Sequence, residues 1–207
     1  MYKLKICELA EMPSPETFLS AREKTYYDTL KFEKRRNDHA LGRYTLKKLL
    51  QESFINAPLN EIEILRSENG FPELYFQSEK SALKVSLSHS NAVGLAVAST
   101  DVKSIGADIE LIESRSKKWA EHCFYFTEFT DGASDEYLTE LWCKKEAVLK
   151  MLGVGLSVSF YDLRFEKGKI NIYGRLLDSF KNIEDTEIEI KRYKNFVIAV
   201  AFKQSGL

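Results

Sequence analysis

The chain has 207 residues, 44% of them hydrophobic and 29% charged, which suits one globular domain or two small lobes that share an interface. Its 30 Lys and Arg balance 31 Asp and Glu, so the net charge of −1 argues against nucleic acid or an anionic membrane as a partner. Three scattered cysteines are too few for a disulfide framework or a Cys/His zinc site. Without a signal peptide or a run of about 18 apolar residues, we expect a soluble protein of the reducing cytoplasm.

The first half of the chain combines one long helix with several short strands. Apolar residues up to Phe54 recur with helical spacing, and Asn56-Ala57-Pro58 ends the pattern, which predicts a helix from about Phe32 to Phe54. The sequence Glu68-Asn69-Gly70-Phe71-Pro72 predicts a turn between two strands. Strands are predicted at residues 2–7, 62–64, 74–76, 85–90 and 93–99, and in a segment that ends near Glu110.

The second half repeats this order of helix and strands. Helical segments are predicted around Lys117–Phe129 and over Asp135–Leu152, followed by strands near 163, 170–173, 188–192 and 196–202. Ala96-Val97-Ala98 recurs 103 residues later as Ala199-Val200-Ala201. We therefore predict an α+β fold of two similar lobes, residues 1–103 and 104–207, which pack together because no Pro- or Gly-rich linker separates them.

Two acidic residues, Asp108 and Glu110, occupy alternate positions of one predicted strand. Side chains alternate between the faces of a strand, so both carboxylates project to one side, about 7 Å apart along the backbone. Mg²⁺ favours such oxygen ligands. Taken alone, the pair fits a solvated strand face better than a metal site.

The helix over Asp135–Leu152 offers a third carboxylate, Glu146, at the border of its apolar stripe, with Lys150 four residues later. In the functional interpretation Glu146 completes a divalent-metal site, and Lys145 or Lys150 contacts phosphate oxygens. In the alternative, Glu146 and Lys150 form an exposed ion pair that contributes about 0.3–0.5 kcal/mol.

Two further groups of residues are candidates for phosphate binding. Ser88 and His89 follow a strand, where a hydroxyl and an imidazole could contact a phosphate, although a lone histidine is more often structural. Basic residues concentrate between Lys31 and Lys48, which is typical of a solvated helix face but would also suit an acidic protein partner. Within this group, Arg43 follows Gly42 and could be directed into a cleft.

Together, four stretches in chain order resemble the 4′-phosphopantetheinyl transferase superfamily, in its two-lobed, surfactin-synthetase-activating form. The stretches are Ser86-Leu87-Ser88-His89-Ser90; Gly106-Ala107-Asp108-Ile109-Glu110; Ala120, Phe124 and Glu128; and Trp142, Lys145, Glu146, Ala147 and Lys150, with Gly153-x-Gly155-Leu156 behind them. Each stretch is a weak signal, but their order and spacing are specific.

The resemblance implies a pseudo-dimer of two α+β lobes, each a small, mostly antiparallel sheet packed with helices, with coenzyme A bound between them. It assigns Asp108, Glu110 and Glu146 to Mg²⁺. The residues that it assigns to coenzyme A are Ser88, His89, Arg36, Arg43, Lys145 and Lys150.

The implied reaction is attack by a serine of an apo acyl or peptidyl carrier protein on the β-phosphate of coenzyme A, which transfers 4′-phosphopantetheine and releases 3′,5′-ADP. Lys150 would neutralise or protonate the leaving group, and either Glu146 or a hydroxide held by the metal would accept the serine proton. Two alternatives stay open: a Mg²⁺-dependent pyrophosphohydrolase, and a non-catalytic module that binds coenzyme A or a carrier protein. The resemblance also implies a monomer, because one chain would hold the complete active site.

Overall fold

The computed structural model describes residues 1–67, 70–154, 158–180 and 183–205. Its helices are α1 (Ala21–Thr29), α2 (Glu33–Ser53), α3 (Lys117–Cys123), α4 (Asp135–Leu152) and α5 (Gly174–Ser179). Its strands are β1 (Lys3–Glu8), β2 (Ile62–Arg66), β3 (Pro72–Phe76), β4 (Glu79–Lys80), β5 (Lys84–Ser90), β6 (Val93–Ser99), β7 (Val102–Leu111), β8 (Leu163–Glu166), β9 (Lys169–Ile172), β10 (Thr186–Tyr193) and β11 (Phe196–Gln204). Glu68 and Asn69 of the predicted turn and Gly155 and Leu156 of the fourth motif lie outside the described residues.

The two long helices are confirmed, and the local sequence explains where α4 begins and ends. The Ser134 hydroxyl accepts the Tyr137 backbone N–H at 3.2 Å, and Gly153 ends the helix in the left-handed region at φ 72°. The prediction of a helix up to Phe129 was wrong, because α3 stops at Cys123. The residues after it turn so that the Tyr125 N–H can donate to the Glu128 carboxylate at 2.9 Å.

Two three-stranded antiparallel sheets have the same strand order and register. In the first half β6 lies between β1 and β5, and in the second half β11 lies between β7 and β10. Ala96 of β6 stands opposite Lys5, and Ala199 of β11 stands opposite Asp108. Ala199 follows Ala96, and Asp108 follows Lys5, by the same 103 residues, so the two pairs are equivalent. With one long helix on each sheet, the chain is an α+β pseudo-dimer of two similar lobes, as predicted.

The predicted division at residues 103 and 104 falls inside β7, which begins at Val102. Residues 100–101 connect the end of β6 at Ser99 to the start of β7. The assignment of residues 1–103 and 104–207 to separate lobes stays a prediction.

The central strands β6 and β11 are buried on both faces, which explains why their sequences are continuously apolar instead of alternating. One face of each contributes to a shared core between the lobes: Val93, Leu95, Val97, Phe196, Ile198, Val200 and Phe202, joined by Ile105, Ala107 and Ile109 of β7. The opposite faces pack separately against α2 and α4. In the part of the chain that the structure describes, no helix combines the length and apolarity needed to cross a membrane.

The first lobe contains a fully buried ion pair. The Lys47 ammonium of α2 donates to the Glu23 carboxylate of α1 at 2.5 Å and to the Phe18 carbonyl at 2.6 Å. The other Glu23 oxygen accepts the Ile64 N–H of β2 at 3.0 Å. Because its charges are paired and hydrogen-bonded, the pair can stay inside the core, where it joins α1, α2 and β2.

The second lobe contains an equivalent buried ion pair. The Lys145 ammonium of α4 donates to Glu128 at 2.7 Å and to the Phe160 carbonyl at 2.8 Å. The other Glu128 oxygen accepts the Phe165 N–H of β8 at 2.9 Å. In each lobe a buried glutamate therefore joins the long helix to the first strand after it.

When Lys47 of α2 is aligned with Lys145 of α4, a second pair of equivalent ion pairs becomes visible. Glu52 lies five residues after Lys47, as Lys150 lies five after Lys145. In the first lobe the Lys5 ammonium lies 2.8 Å from the Glu52 carboxylate. In the second lobe Asp108 occupies the position equivalent to Lys5, and its carboxylate lies 2.7 Å from the Lys150 ammonium. The same position thus holds an ion pair in both lobes, with the signs of the charges exchanged.

We expect Lys145→Met to lower the free energy of unfolding by about 3–5 kcal/mol, because it leaves the Glu128 carboxylate buried without its cation. The neighbouring variant Lys144→Met removes only the partly exposed pair with Glu140 and should cost less than about 1 kcal/mol. Urea unfolding of both variants measures the difference, and equal effects would contradict the structural role of Lys145.

The acid stability of the protein should depend on His39, whose ring lies 4.8 Å from that of Tyr26. Burial, and then the charges of Arg43, Arg66 and His89, lower the pKa of His39 from 6.5 to about 3. Between pH 6.5 and about 3, His39 is protonated in the unfolded chain but neutral in the folded protein. The free energy of unfolding therefore falls as the pH drops below 6.5.

We therefore predict that His39→Gln reduces the slope of stability against pH in this window by up to about 1.4 kcal/mol per pH unit. Urea unfolding at several pH values between 4 and 7 gives the slope, with exposed His122→Gln as the control. A slope that is the same in both variants would contradict a half-buried His39 that stays neutral in the folded protein.

Candidate active site at the seam between the lobes

Serine side chains of β5 join the first lobe to β7 of the second, although the two strands belong to different sheets. The Ser86 hydroxyl accepts the Ala107 N–H at 3.0 Å, and the Ser90 hydroxyl accepts the Leu111 N–H at 3.4 Å. Alternation along β5 places Ser88 on the same side, next to Asp108. We call this contact between β5 and β7 the seam.

Helix α4 reaches the seam because it crosses β7 at Gly106. A Cβ at this position would lie 2.1 Å from the Ala147 carbonyl oxygen and 2.3 Å from the Met151 nitrogen. No side chain fits into that space, so glycine permits the close crossing. The crossing brings Glu146 and Lys150, one turn apart on α4, to the acids of β7.

Asp108 is the centre of the polar contacts in the seam and is 2% exposed. Its Oδ1 accepts the Ser88 hydroxyl at 2.7 Å and the Lys150 ammonium at 2.7 Å. Lys150 also donates to the Ser88 hydroxyl oxygen at 2.9 Å. Burial opposes the charge of Lys150, but Asp108 and Glu146 outweigh it and raise the pKa of the ammonium, which keeps it cationic.

The other two acids are destabilised as anions. Burial, followed by repulsion from Asp108, raises the pKa of Glu110 to about 7, although Ser90 donates to its carboxylate at 2.8 Å. Burial is also the main cause that raises the pKa of Glu146, with Lys150 opposing and Asp108 adding to it. Asp108, Glu110 and Glu146 thus lie around the single ammonium of Lys150, and burial disfavours the charged forms of the two glutamates.

A cleft of about 1040 Å³ opens above these residues. The three acids and Lys150 line it, together with Glu73 and four further basic residues, Arg66, Lys80, Lys84 and Lys103, of which Lys80 pairs with Glu73 at 2.6 Å. A wall of cations around an acidic centre suits a ligand that carries several negative charges and a divalent cation.

A second, basic pocket of about 450 Å³ adjoins the cleft, and both are lined by Leu87, His89, Arg66, Gly70 and Pro72. Arg35, Asp38 and Arg43 of α2 also line this pocket. Arg43 is 7% exposed, and its Nε makes no hydrogen bond to the described residues. We call this cavity the basic pocket.

Two of the residues assigned to coenzyme A do not reach either cavity. Lys145 is fully buried and its ammonium is bound by Glu128, so its assignment to phosphates is corrected to a role in the core. The Arg36 Nε donates to the Leu30 carbonyl at 2.7 Å, and its guanidinium lies over the Tyr27 ring. Arg36 is therefore held at the surface of the first lobe, outside the residues that line the cleft and the basic pocket.

Other contributors were missed in the sequence. Ser86 and Ser90 belong to a quoted motif, and their alternation with Ser88 was a signal that all three share one face. Arg66, Lys80, Lys84 and Lys103 come from separate strands and loops, and only the folded arrangement brings them to one cleft.

The donor set fits a divalent metal ion in chemistry, though not as a finished coordination shell. Asp108 Oδ2 is buried without a hydrogen-bond partner among the described residues, and an oxygen of this kind is available to a cation. Carboxylates are ligands that Mg²⁺ prefers. Among the described residues, no three His, Cys, Asp or Glu side chains are already gathered closely enough to enclose an ion. Lys150 holds Asp108 Oδ1 in this arrangement.

The comparisons with solved structures give low similarity. A holo-(acyl-carrier-protein) synthase from Bacillus anthracis in complex with CoA (3′,5′-ADP) has a TM-score of 0.42 and 21% identity, covering 47% of this chain and 91% of that chain. The Helicobacter pylori holo-[acyl-carrier-protein] synthase in complex with coenzyme A has a TM-score of 0.39 and 20% identity, covering 47% and 97%.

Sequence comparisons are more specific. The family model described as "4'-phosphopantetheinyl transferase superfamily" matches residues 104–201, which contain α4 and most of β7 and β11. A holo-[acyl-carrier-protein] synthase of Petrotoga mobilis is 30% identical over 93 residues, 40% of this chain and 78% of that protein. Another from Campylobacter curvus is 32% identical over 108 residues, 49% of this chain and 94% of that protein. Since nearly the whole Campylobacter protein is matched at this identity, the chain belongs to the 4′-phosphopantetheinyl transferase superfamily.

Proposed function

We propose that this protein transfers the 4′-phosphopantetheine arm of coenzyme A to a serine of an apo acyl or peptidyl carrier protein, with Mg²⁺, and releases 3′,5′-ADP. The observation that carries the proposal is the meeting of Asp108 with Ser88 and Lys150 at the seam, with Glu110 and Glu146 in the same cleft. The relatives named holo-[acyl-carrier-protein] synthase support this class of acceptor.

Asp108, Glu110 and Glu146 are the residues that would hold Mg²⁺. Their burial and mutual repulsion raise the pKa of two of them, and a cation among them would relieve this repulsion. When bound, the ion would neutralise charge on the pyrophosphate of coenzyme A and on the leaving phosphate.

Lys150 and Glu146 are suited to the two charge-handling roles in the transfer. The raised pKa of Lys150 keeps its flexible side chain cationic, and a swing away from Asp108 would place the ammonium against the phosphates of the leaving 3′,5′-ADP. Glu146 lines the same cleft, and its carboxylate would accept the proton of the attacking serine. The remaining task of the chain is to position donor and acceptor.

Residues of the first lobe would place the donor. Ser88 reaches the cleft from β5, and His89 and Arg43 line the basic pocket beside it. Both lobes of one chain thus contribute to the site, so we propose a monomer. Of the basic residues between Lys31 and Lys48, the exposed Lys31, Lys34 and Arg35 would contact an acidic carrier protein, whereas Lys47 is buried against Glu23. The three free, buried cysteines fit the proposed cytoplasmic location.

One assay separates the proposal from its alternatives. The purified protein is incubated with coenzyme A, Mg²⁺ and a panel of apo carrier proteins, and each carrier is weighed by mass spectrometry. A gain of one phosphopantetheine arm supports transfer. Release of free phosphopantetheine without a carrier would indicate a pyrophosphohydrolase, and binding without a product would indicate a non-catalytic module.

We predict that Asp108→Asn and Glu146→Gln each reduce transfer by about 10²–10³-fold, because each removes a charge from the metal site. Both substitutions keep the size of the side chain, so the fold should persist. Calorimetric titration with Mg²⁺ should show weaker binding in each variant. Glu113→Gln changes a half-exposed acid beyond the seam and serves as the control. Transfer at the wild-type rate by either site variant would overturn the metal assignment.

Lys150→Ala should slow turnover far more than it weakens the binding of coenzyme A, because its charge is needed most while the leaving phosphate becomes negative. We expect a fall in kcat of about 100-fold and a change in the Kd of coenzyme A below about fivefold. Single-turnover kinetics and calorimetry measure the two quantities. Lys144→Ala, six residues earlier on α4, is the matched control. A larger effect on Kd than on kcat would contradict this role.

A further inference from the structure

Ser90 is the last residue of β5, and its hydroxyl makes two contacts with β7 across the seam. It donates to Glu110 Oε2 at 2.8 Å and accepts the Leu111 N–H at 3.4 Å. The N–H of the strand occupies the acceptor side of the hydroxyl, so its proton points to the carboxylate. The hydroxyl is therefore oriented by one neighbour while it orients the other.

Ser90 does not line the cleft, although Ser88, His89 and Glu110 do. Ser88 meets both Asp108 and Lys150 inside the site. The hydroxyl of Ser90, in contrast, acts on a ligand of the cleft through the carboxylate that it holds.

The Glu110 carboxylate is held at one of its two oxygens. Among the described residues, Ser90 is its hydrogen-bond donor, and the bond goes to Oε2 alone. Asp108 has the same division, because Oδ1 is bound by Ser88 and Lys150 while Oδ2 has no partner among the described residues. Each of these two acids of β7 is thus fixed through one oxygen and keeps the other for a cation.

An equivalent contact joins the lobes away from the cleft. Tyr193 of β10 follows Ser90 by 103 residues, and the two residues have equivalent positions in their sheets. The Tyr193 hydroxyl donates to Glu8 of β1 at 2.6 Å, and Glu8 also pairs with the exposed Lys194. Neither Tyr193 nor Glu8 lines the cleft or the basic pocket. A hydroxyl at this position therefore binds a glutamate in both halves, but only the Ser90 bond ends on an acid of the candidate site.

Mg²⁺ and Ca²⁺ differ in what they require of a carboxylate. Mg²⁺ demands a nearly ideal octahedral arrangement of its ligands, whereas Ca²⁺ accepts more oxygens in a flexible arrangement and takes a carboxylate through one oxygen or both. A carboxylate that is fixed through one oxygen suits the strict geometry of Mg²⁺. A carboxylate that can rotate suits Ca²⁺ equally well.

We propose that Ser90 positions the Glu110 carboxylate and thereby makes the metal site prefer Mg²⁺ over Ca²⁺. This inference rests on the proposed function for the presence of a divalent metal ion at Asp108, Glu110 and Glu146. Removing a hydrogen-bond partner of a metal ligand typically costs about 10–100-fold in metal affinity, so the effect is large enough to measure.

Calorimetric titration with MgCl₂ and with CaCl₂, in the presence of coenzyme A and without a carrier protein, tests this role. The heat of each ion with coenzyme A alone is subtracted, so that the Kd values describe the site on the protein. Ser90→Ala should raise the Kd of Mg²⁺ by about tenfold and change the Kd of Ca²⁺ by less than about threefold. Ser90→Thr keeps the hydroxyl and should restore most of the preference for Mg²⁺.

Two control variants separate this role from a general weakening of the contact between the lobes. Ser86→Ala removes the shorter of the two serine contacts with the β7 backbone, at the Ala107 N–H. Tyr193→Phe removes the equivalent bond between a hydroxyl and a glutamate, at Glu8. Both controls should leave the ratio of the Kd values for Mg²⁺ and Ca²⁺ unchanged.

An equal loss of affinity for both ions in Ser90→Ala, or the same change of the ratio in Ser86→Ala, would overturn the role of Ser90 and leave the proposed function intact. A Ser90→Thr variant that behaves like Ser90→Ala would also count against the hydroxyl. Failure of the wild-type protein to bind either ion in the presence of coenzyme A would instead overturn the proposed metal site, and the inference with it.

Discussion

The contact between α4 and β7 at Gly106 is the constraint from which the candidate site follows. The helix backbone approaches the strand so closely that a single added carbon would overlap the Ala147 carbonyl. Because β7 also forms the seam with β5, the same ten residues receive the helix on one side and the serines of the first lobe on the other. Asp108 lies where these contacts meet, which explains its almost complete burial.

Such a concentration of buried carboxylates costs stability, so the surrounding frame must hold it in place. The hydrophobic core shared by β6, β7 and β11 packs the two lobes together next to the seam. The Glu128–Lys145 pair fixes α4 to β8 from the opposite side of the helix. On α4 the neighbouring Lys145 and Glu146 thus face different surroundings: one stabilises the lobe, and the other faces the cleft.

The sequence predicted most of the frame and part of the site. Helical and strand periodicity located α2, α4, β5 and β6, and the Ala-Val-Ala repeat indicated the two lobes, because these signals are local. Periodicity could not show that Glu128 pairs with Lys145, since the two belong to different elements and each looks like an ordinary surface charge in the sequence. For this reason Lys145 was assigned to phosphates, and the end of α3 was misplaced.

The same limit explains why the basic residues of the cleft were missed. Arg66 and Lys103 lie far apart in the chain, and no spacing rule relates them before the sheets are assembled. In contrast, Ser86, Ser88 and Ser90 have a period of two within one strand, so their common face could be read directly. Residues that act within one element are predictable from sequence, and residues that meet across the seam are not.

The exchanged ion pairs, Lys5 with Glu52 and Asp108 with Lys150, have a consequence for how the two lobes can diverge. In an assembly of identical single-lobed chains, every substitution is copied to every interface. When both lobes belong to one polypeptide, each codon changes one lobe alone. The first lobe could therefore acquire one lysine paired with one glutamate at the position where the second lobe has several acids around one lysine. The strands of both sheets could keep the same register during this change. Because both lobes belong to one chain, two copies of the same architecture can carry different charged residues at equivalent positions.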